Sequence, residues 1–442
     1  MPTQFDPPSG TRDFLAGDWE FRENVFARIR SVFARYGFEP LVTPSFERLD
    51  VLMGKYGDEG DKLIFKILRR GEHEETGEAD LALRYDHTVP LARVAAAYGS
   101  QLPTPYKRYA IGPVWRADRP GRGRYREFTQ CDLDTLGSTS VMADAEVVSA
   151  AHDVLAELGL TGFRFLVNSR RVLAGLLEGF GVPADLGSGV LITLDKLDKL
   201  APEEVGAELR ERGLSEQTAE SLVGALTAGS VEQVRDALKT SEEGAAGIEE
   251  VDELLSLLAG QVPADRLVFT PRLVRGLSYY TGPIWEIVAD GIPGSLAGGG
   301  RYDHLIEQLG GPKVPATGGA LGVERILMSL PDPGSAHSRL DVAVTVMGEQ
   351  YAGRSFSLAA AARAAGLRAS VYLGTSGKLG RQLKWASDTG ARWALIYGGA
   401  EDEAGTVTVR DMTSGDQAAV PVSELTEYLA GLADAAGLPG PA

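Results

Sequence analysis

Between Trp19 and Tyr36, the apolar residues Val25, Phe26, Ile29, Val32, Phe33 and Tyr36 recur at helical spacing, and Gly37 offers a stop. The pattern predicts a helix over 19–36. PLVTP (40–44) predicts a short strand closed by Pro44. The stretch that follows mixes short β-rich runs (LALRY, YKRYAIGPVW, YREFTQCDLDTLG) with one apolar helix, VMADAEVVSAAHDVLAELG. From Asn168 to about Gly260 the pattern is almost wholly helical. Strand signals return at RLVFTP and IWEIVAD, followed by the glycine-rich SLAGGGRYDHLIEQLGG and a helix entered through GGALGVERILMSL. A sheet that breaks, admits a helical block and resumes predicts a discontinuous domain, 1–170 with 262–330, carrying a helical insertion at 171–261. PDPGSAHSR, at 331–339, has linker composition. Beyond it, DVAVTVM, RASVYLG, RWALIYG and TVTVRDM alternate with helices and predict a small α/β domain with a mixed or parallel sheet over 340–430.

Composition narrows the setting. A chain of 442 residues has room for two or three domains. Its 44% hydrophobic and 24% charged content is that of an ordinary globular protein. No apolar run is long enough to cross a bilayer, and MPTQFDPPSG lacks the basic-then-apolar pattern of a signal peptide. The one cysteine, Cys131, excludes an internal disulfide, and five scattered histidines give no zinc-site spacing. These features predict a cytoplasmic protein without membrane contact.

Charge sharpens the picture. The net charge of -17 is uneven: residues 201–260 carry 14 Asp/Glu against 4 Arg/Lys, whereas residues 107–126 carry seven Lys/Arg, Arg108 and Arg122 among them, against Asp118 alone. A local positive site in an acidic molecule can hold phosphates. Arg116 follows an apolar strand, Arg275 opens LVRGLSYYTG, and Arg325 sits on the first turn of a helix behind several glycines. Arginine suits bidentate phosphate binding, although an ordinary ion pair is the alternative for each. A GxGxxG between a first strand and its helix is absent, which weakens a dinucleotide-binding reading.

Strand alternation puts Arg126, Phe128, Gln130, Asp132 and Asp134 on one face. Phe128 and Tyr125 would suit stacking on a base, or simply form a core face. An acid deep in such a strand needs a cation or a donor, and Asp86 and Thr88 in LRYDHTVP pose the same problem. Two acids, an amide and a hydroxyl beside a phosphate site suit an amino acid beside a nucleotide. Spacing alone leaves surface acids as the alternative.

At this point the segments resemble a known family. SGTRDF, the helix ending in PLVTP (motif 1), VWRADRPGRGRYREFTQCDLD (motif 2) and GALGVERIL (motif 3) occur in the order of the class II aminoacyl-tRNA synthetases. VNSRRVL, LDKLDKL, LVRGLSYYTG and AGGGRYDHLIEQLGG are similar to segments of the histidyl-tRNA synthetases, and QCDLD with LRYDHTVP resembles their eukaryotic-type branch. The resemblance covers nearly the whole chain. It implies an antiparallel catalytic sheet flanked by helices, a helical insertion and a C-terminal anticodon-binding domain. The implied activity is ATP-dependent attachment of L-histidine to its tRNA through a histidyl-adenylate. ATP would come with Mg2+, with no fixed protein metal site and no organic cofactor.

Carried onto this chain, the resemblance implies that Arg116 grips the ATP α-phosphate and the histidine carboxylate, and Arg325 the γ-phosphate. Phe128 would stack on adenine with Arg124 nearby, and Asp118 and Tyr125 would complete the ATP site. Asp86, Thr88 and Gln130 would receive the α-ammonium, Asp134 and Tyr280 the imidazole, with His87 and Tyr279 beside them. Arg275 would stabilise attack at the α-phosphate. Residues 340–430 would meet RNA, where Lys378, Arg381 and Lys384 fan over one helix side, and motif 1 would build a homodimer by burying the apolar face of 19–36. Two other readings share the fold. One is a non-catalytic regulatory paralogue of histidine biosynthesis, which usually lacks the C-terminal domain and the motif arginines. The other is a duplicate enzyme passing histidyl-adenylate to another acceptor. Three positions depart from the pattern: Ser278 stands where the family has Asp, His87 where an apolar residue is commoner, and Gly121 where bacterial relatives carry a glutamine.

Overall fold

The computed structural model describes residues 5–56, 60–71, 76–121, 123–198, 200–227, 231–274, 279–292, 294–331 and 340–436. The chain divides into two compact units, residues 1–331 and 332–442.

The strands of the first unit are, in chain order, β1 (Glu39–Pro40), β2 (Phe46–Arg48), β3 (Lys66–Leu68), β4 (Ala79–Leu83), β5 (Tyr106–Trp115), β6 (Glu127–Leu136), β7 (Phe163–Ser169), β8 (Leu267–Phe269), β9 (Pro283–Ala289), β10 (Ala297–Arg301) and β11 (Ala316–Leu321). Eight form one sheet in the order β1-β5-β6-β11-β10-β9-β7-β8, and the other three form a small sheet, β2-β4-β3. The large sheet is antiparallel except at its two ends, where β1 runs parallel to β5 and β8 to β7.

The β5–β6 pair keeps an unbroken register from Tyr106↔Leu136 to Trp115↔Glu127, so alternation along β6 holds without a bulge. Cys131 and Leu133 enter the hydrophobic core on one face. Phe128, Gln130, Asp132 and Asp134 take the other. Helices Ala16–Arg35 and Val141–Glu157 cover the core face and touch each other. Tyr36 Oη donates to Asp153 Oδ2 at 2.7 Å to join them.

The expectation that a second copy buries the apolar face of residues 19–36 is corrected here. Val25, Phe26, Ile29, Val32 and Phe33 are all buried in the chain's own core, because helix Val141–Glu157 supplies the matching face through Val147, Val148, Ala151 and Val154. PLVTP also differs from expectation. Only Glu39–Pro40 pairs as a strand, since prolines at 40 and 44 lack ladder donors. The carbonyls of Thr43 and Pro44 instead accept from Arg84 Nη1 at 2.8 and 3.4 Å.

The glycine-rich runs form two central strands, β10 and β11. Glycine is a poor strand former, but close approach requires it here. A Cβ on Gly299 would stand 2.1 Å from Gly318 O, and one on Gly319 would stand 2.3 Å from Trp285 Cζ2.

Between β7 and β8 the described residues are helical, from Arg170–Gly179 to Glu242–Leu258. These two helices pack with little separation: a Cβ on Gly175 would lie 2.3 Å from Gly244 Cα. The second unit holds β12 (Val342–Val344), β13 (Ala369–Val371), β14 (Trp393–Ile396), β15 (Thr406–Asp411) and β16 (Gln417–Pro421) in the order β13-β12-β14-β15-β16. Its sheet is mixed, parallel at β12–β13 and β12–β14 and antiparallel beyond. QAAVP, which becomes β16, carries no strand signal of its own. In helix Leu379–Asp388, Lys384 is engaged with Asp388 at 2.9 Å. Of the expected linker at 331–339, residues 332–339 lie outside the described residues.

Candidate active site

A cavity of about 440 Å³ opens on the face of the large sheet opposite the two core helices. Asp86, Thr88, Arg116, Asp118, Arg124, Tyr125, Phe128, Gln130, Tyr279, Tyr280 and Arg325 all line it. Arg275 and Ser278 lie outside the described residues, as does Arg122.

At one end, Asp86 is buried just before helix Thr88–Tyr98, and its Oδ1 accepts from Val89 N at 3.1 Å and from Tyr56 Oη at 3.0 Å. Burial pushes the Asp86 carboxyl up, while the Val89 amide and Arg116 oppose that shift. Arg116 leaves the end of β5 with Nε donating to Tyr85 O at 3.2 Å and Nη2 reaching Gln130 Oε1 at 3.5 Å. Its guanidinium lies 4.3 Å from the Tyr85 ring centre and 5.2 Å from that of Phe128. Among the described residues no carboxylate pairs with it. A cation held by aromatic faces and a carbonyl keeps its charge available to a ligand anion.

Below this end, behind the lining residues Tyr302 and Gly318, lies a buried charged layer; its Asp132 and Asp134, expected on the site face, do not themselves line the cavity. Asp134, buried on β6, accepts a short hydrogen bond from Tyr302 Oη, and its Oδ2 sits 2.9 Å from Arg108 Nη2. Arg108 faces Asp134 across the β5–β6 register, is fully buried and donates to His87 O at 3.0 Å. Burial pushes both Asp132 and Asp134 up and Arg108 pulls them down. Asp132 is pushed up the more strongly, while Asp134 has the Tyr302 hydrogen bond and the adjacent guanidinium to favour its charged form; Asp132 Oδ1 and Asp134 Oδ2 each make no hydrogen bond among the described residues. Gly318 makes room for this layer, because a Cβ there would stand 2.0 Å from Asp134 Oδ1.

His87 does not reach the cavity. Its Nε2 donates to Gly112 O at 3.2 Å behind the wall, and burial together with Arg108 and Arg84 lowers its pKa to about 3. The neutral ring behaves as a buried structural donor, which explains how a polar residue stands at a position that is usually apolar.

At the other end, Arg325 donates Nη1 to Ser295 O at 2.6 Å and has no carboxylate partner among the described residues. Gly294, with φ +77°, leaves space for its guanidinium; a Cβ there would lie 3.1 Å from Arg325 Cζ. Arg124 is ion-paired to Asp118 at 2.8 Å, so the two reach the cavity as a pair. Arg126 points back to the carbonyls of Asp118 and Ser9. Of the arginine-rich stretch, then, Arg116 reaches the cavity with no carboxylate partner among the described residues, Arg124 reaches it already paired, and Arg126 is a fastener beside it.

Sequence reasoning missed several lining residues. Tyr56 carries no motif, Tyr302 had been read only as part of the GGGRYD segment, and Glu324 precedes Arg325 without comment. The GGG of β10 and the GG of β11 are the available signal that backbone, not side chain, forms one wall. Asn168, in VNSRRVL, donates to the carbonyls of Pro271 and Leu273 at 2.9 and 2.8 Å, and Arg170 to Val274 O at 3.3 Å, so this segment anchors the approach to residue 275.

An antiparallel sheet closed by two core helices, with an arginine at the motif 2 strand end and another on the motif 3 helix, defines a class II aminoacyl-tRNA synthetase catalytic unit. Comparison with known proteins narrows the class. Residues 10–326 match the histidyl-tRNA synthetase family model and residues 341–432 match that of an anticodon binding domain. The histidine–tRNA ligase of Paracoccus denitrificans is 41% identical, covering 95% of this chain and 92% of that protein. That of Aeropyrum pernix is 40% identical over 95% of this chain and 96% of its own length. The crystal structure of histidyl-tRNA synthetase from Nostoc sp. PCC 7120 is 27% identical and superposes with a TM-score of 0.75 over 97% of this chain and 99% of that one. The chain belongs to the histidyl-tRNA synthetase family.

Proposed function

We propose that the protein is a histidine–tRNA ligase that forms histidyl-adenylate from L-histidine and ATP and passes the histidyl group to tRNA. The single observation that carries the reading is the charged layer directly beneath the cavity. Asp134 stands directly behind the lining residues Tyr302 and Gly318, bonded to Tyr302 and paired with Arg108, with Oδ2 making no hydrogen bond among the described residues; an imidazole N–H entering between them would donate to it. Tyr280, on the cavity wall, is the second imidazole partner. Asp86, Thr88 and Gln130 take the α-ammonium, with Tyr279 closing the side of the pocket.

Arg116 lies between the two ends and would hold the histidine carboxylate against the α-phosphate. The carboxylate oxygen attacks phosphorus in line, forming a C–O–P anhydride as the bond to pyrophosphate breaks. Phe128 stacks on adenine, while Tyr125 and the Arg124–Asp118 pair flank it. Arg325 takes the γ-phosphate, and Arg275 carries the charge that develops at the α-phosphate. Catalysis here rests on positioning and electrostatics, with no covalent enzyme intermediate. In the second step a terminal ribose hydroxyl of tRNA attacks the histidyl carbonyl and AMP leaves. Magnesium enters as the ATP complex, since the carboxylates at this end, Asp118 and Glu324, are already taken by arginines.

The second unit would bind the anticodon, and the working enzyme would be a cytoplasmic homodimer. Arg116 and Arg325, which have no carboxylate partner among the described residues, and the presence of the second unit favour this reading over a regulatory paralogue. Asp134→Asn, assayed by ATP–pyrophosphate exchange, tests it. The KM for histidine should rise at least about a hundredfold with the KM for ATP little changed. A variant that binds histidine as well as the parent would overturn the assignment.

A further inference from the structure

Glu324 raises a question that the proposed chemistry leaves open. It lines the phosphate end of the cavity, is 6% exposed, and stands next to Arg325. A bare carboxylate there would repel a triphosphate. Its Oε1 accepts from Arg22 Nη2 at 2.7 Å and from Thr129 N at 3.3 Å; its Oε2 accepts from Arg12 Nη2 at 2.6 Å and from Arg22 Nη1 at 3.0 Å. The Arg22 fork is bidentate and buried, and Arg22 Nη2 also reaches Thr129 Oγ1 at 3.1 Å. Burial raises the Glu324 carboxyl, but the two arginines outweigh it and hold the group below its usual range.

The second arginine is the informative one. Arg22 alone would neutralise Glu324, yet Arg12 joins it from a segment remote in sequence. The Arg12 guanidinium also lies 3.4 Å from the ring centre of Tyr125, which lines the cavity. Arg12 therefore ties two walls together, the motif 2 ring and the motif 3 carboxylate, and turns a local charge that Arg22 has brought to zero into plus one.

We propose that Arg12 is a positioning residue for ATP. It makes the phosphate end of the cavity net positive around Glu324 and fixes Tyr125 beside the nucleotide. The inference rests on the reading that this end of the cavity takes ATP.

The test uses the full chain in histidine-dependent ATP–pyrophosphate exchange. Arg12→Gln should raise the KM for ATP about tenfold or more while the KM for histidine stays within about threefold. Arg12→Lys, which keeps the charge, should recover most of the loss. In the Arg12→Gln background, Glu324→Gln should also lower the ATP KM again, because it leaves the Arg22 charge uncompensated and restores a net plus one. An unchanged ATP KM in Arg12→Gln would overturn the inference. So would a rise of both KM values together, as expected from a merely loosened fold, a Lys variant no better than Gln, or absence of rescue by Glu324→Gln. If the parent protein shows no histidine-dependent exchange, the failure lies with the assigned function and not with Arg12.

Discussion

Gly318 shows how much of the site is decided at single residues. A Cβ at this strand position would meet the Asp134 carboxylate at 2.0 Å, so Gly318→Ala should displace that group and raise the histidine KM by at least about a hundredfold. Exchange kinetics on the variant check this, with circular dichroism to show that the sheet survives. His87 makes a different prediction. Its folded-state pKa, about 3, lies below the usual imidazole value, so the unfolded chain binds its proton more readily. The stability it contributes is complete above about pH 6.5 and drains away as pH falls toward 3. Urea unfolding of His87→Gln should show a smaller loss between pH 7 and pH 5, by about 2 kcal/mol, than the parent protein. Parallel curves for the two proteins would contradict a buried neutral ring. Phe128, Gln130 and Asp134 were legible in the sequence because strand alternation places them on one face, and Arg116 because it follows an apolar strand; Arg126, in the same alternation, turns instead to the carbonyls of Asp118 and Ser9. The neighbours of Asp134 were not legible: Tyr302 and Arg108 act on it from other strands, across a register no local pattern reports.

At the scale of elements, helices were easy to read where one face is apolar. Val25 to Phe33 give a clean period, and the helix runs over Ala16–Arg35. What covers that face was not legible, because the complementary side chains come from Val141–Glu157, far along the chain. Strands β10 and β11 were hidden for a different reason. Their glycines, which local propensity counts against a strand, are demanded by Gly318 O, Trp285 and Asp134 pressing on them from neighbouring strands. The VNSRR segment yields a prediction at this scale. Asn168→Ala would leave the carbonyls of Pro271 and Leu273 without their donor, and should destabilise the protein by about 1–3 kcal/mol. Since these carbonyls lead into residue 275, adenylate formation should fall further than histidine binding. Thermal melts and exchange rates measured together would show it; equal loss in both substrates' KM and no loss in kcat would argue for a purely structural bond.

The whole molecule contains two compact units with separate hydrophobic cores. The cavity belongs wholly to the first. A chain ending at Pro331 should therefore fold and make histidyl-adenylate, while charging of tRNA falls much further than exchange. Equal loss of both activities would mean that the second unit serves the catalytic step itself. The acidity of the chain is explained at this scale too: the cavity keeps its positive end through Arg116 and Arg325, while the carboxylates of residues 201–260 leave the total at -17. The measurement that bears most directly on the account is ATP–pyrophosphate exchange with each of the twenty amino acids. A pocket backed by Asp134 to accept from a buried ring N–H should reject side chains that lack one by about 10⁴-fold. Exchange should appear with histidine alone; comparable exchange with a second amino acid, or none with histidine, would contradict the account.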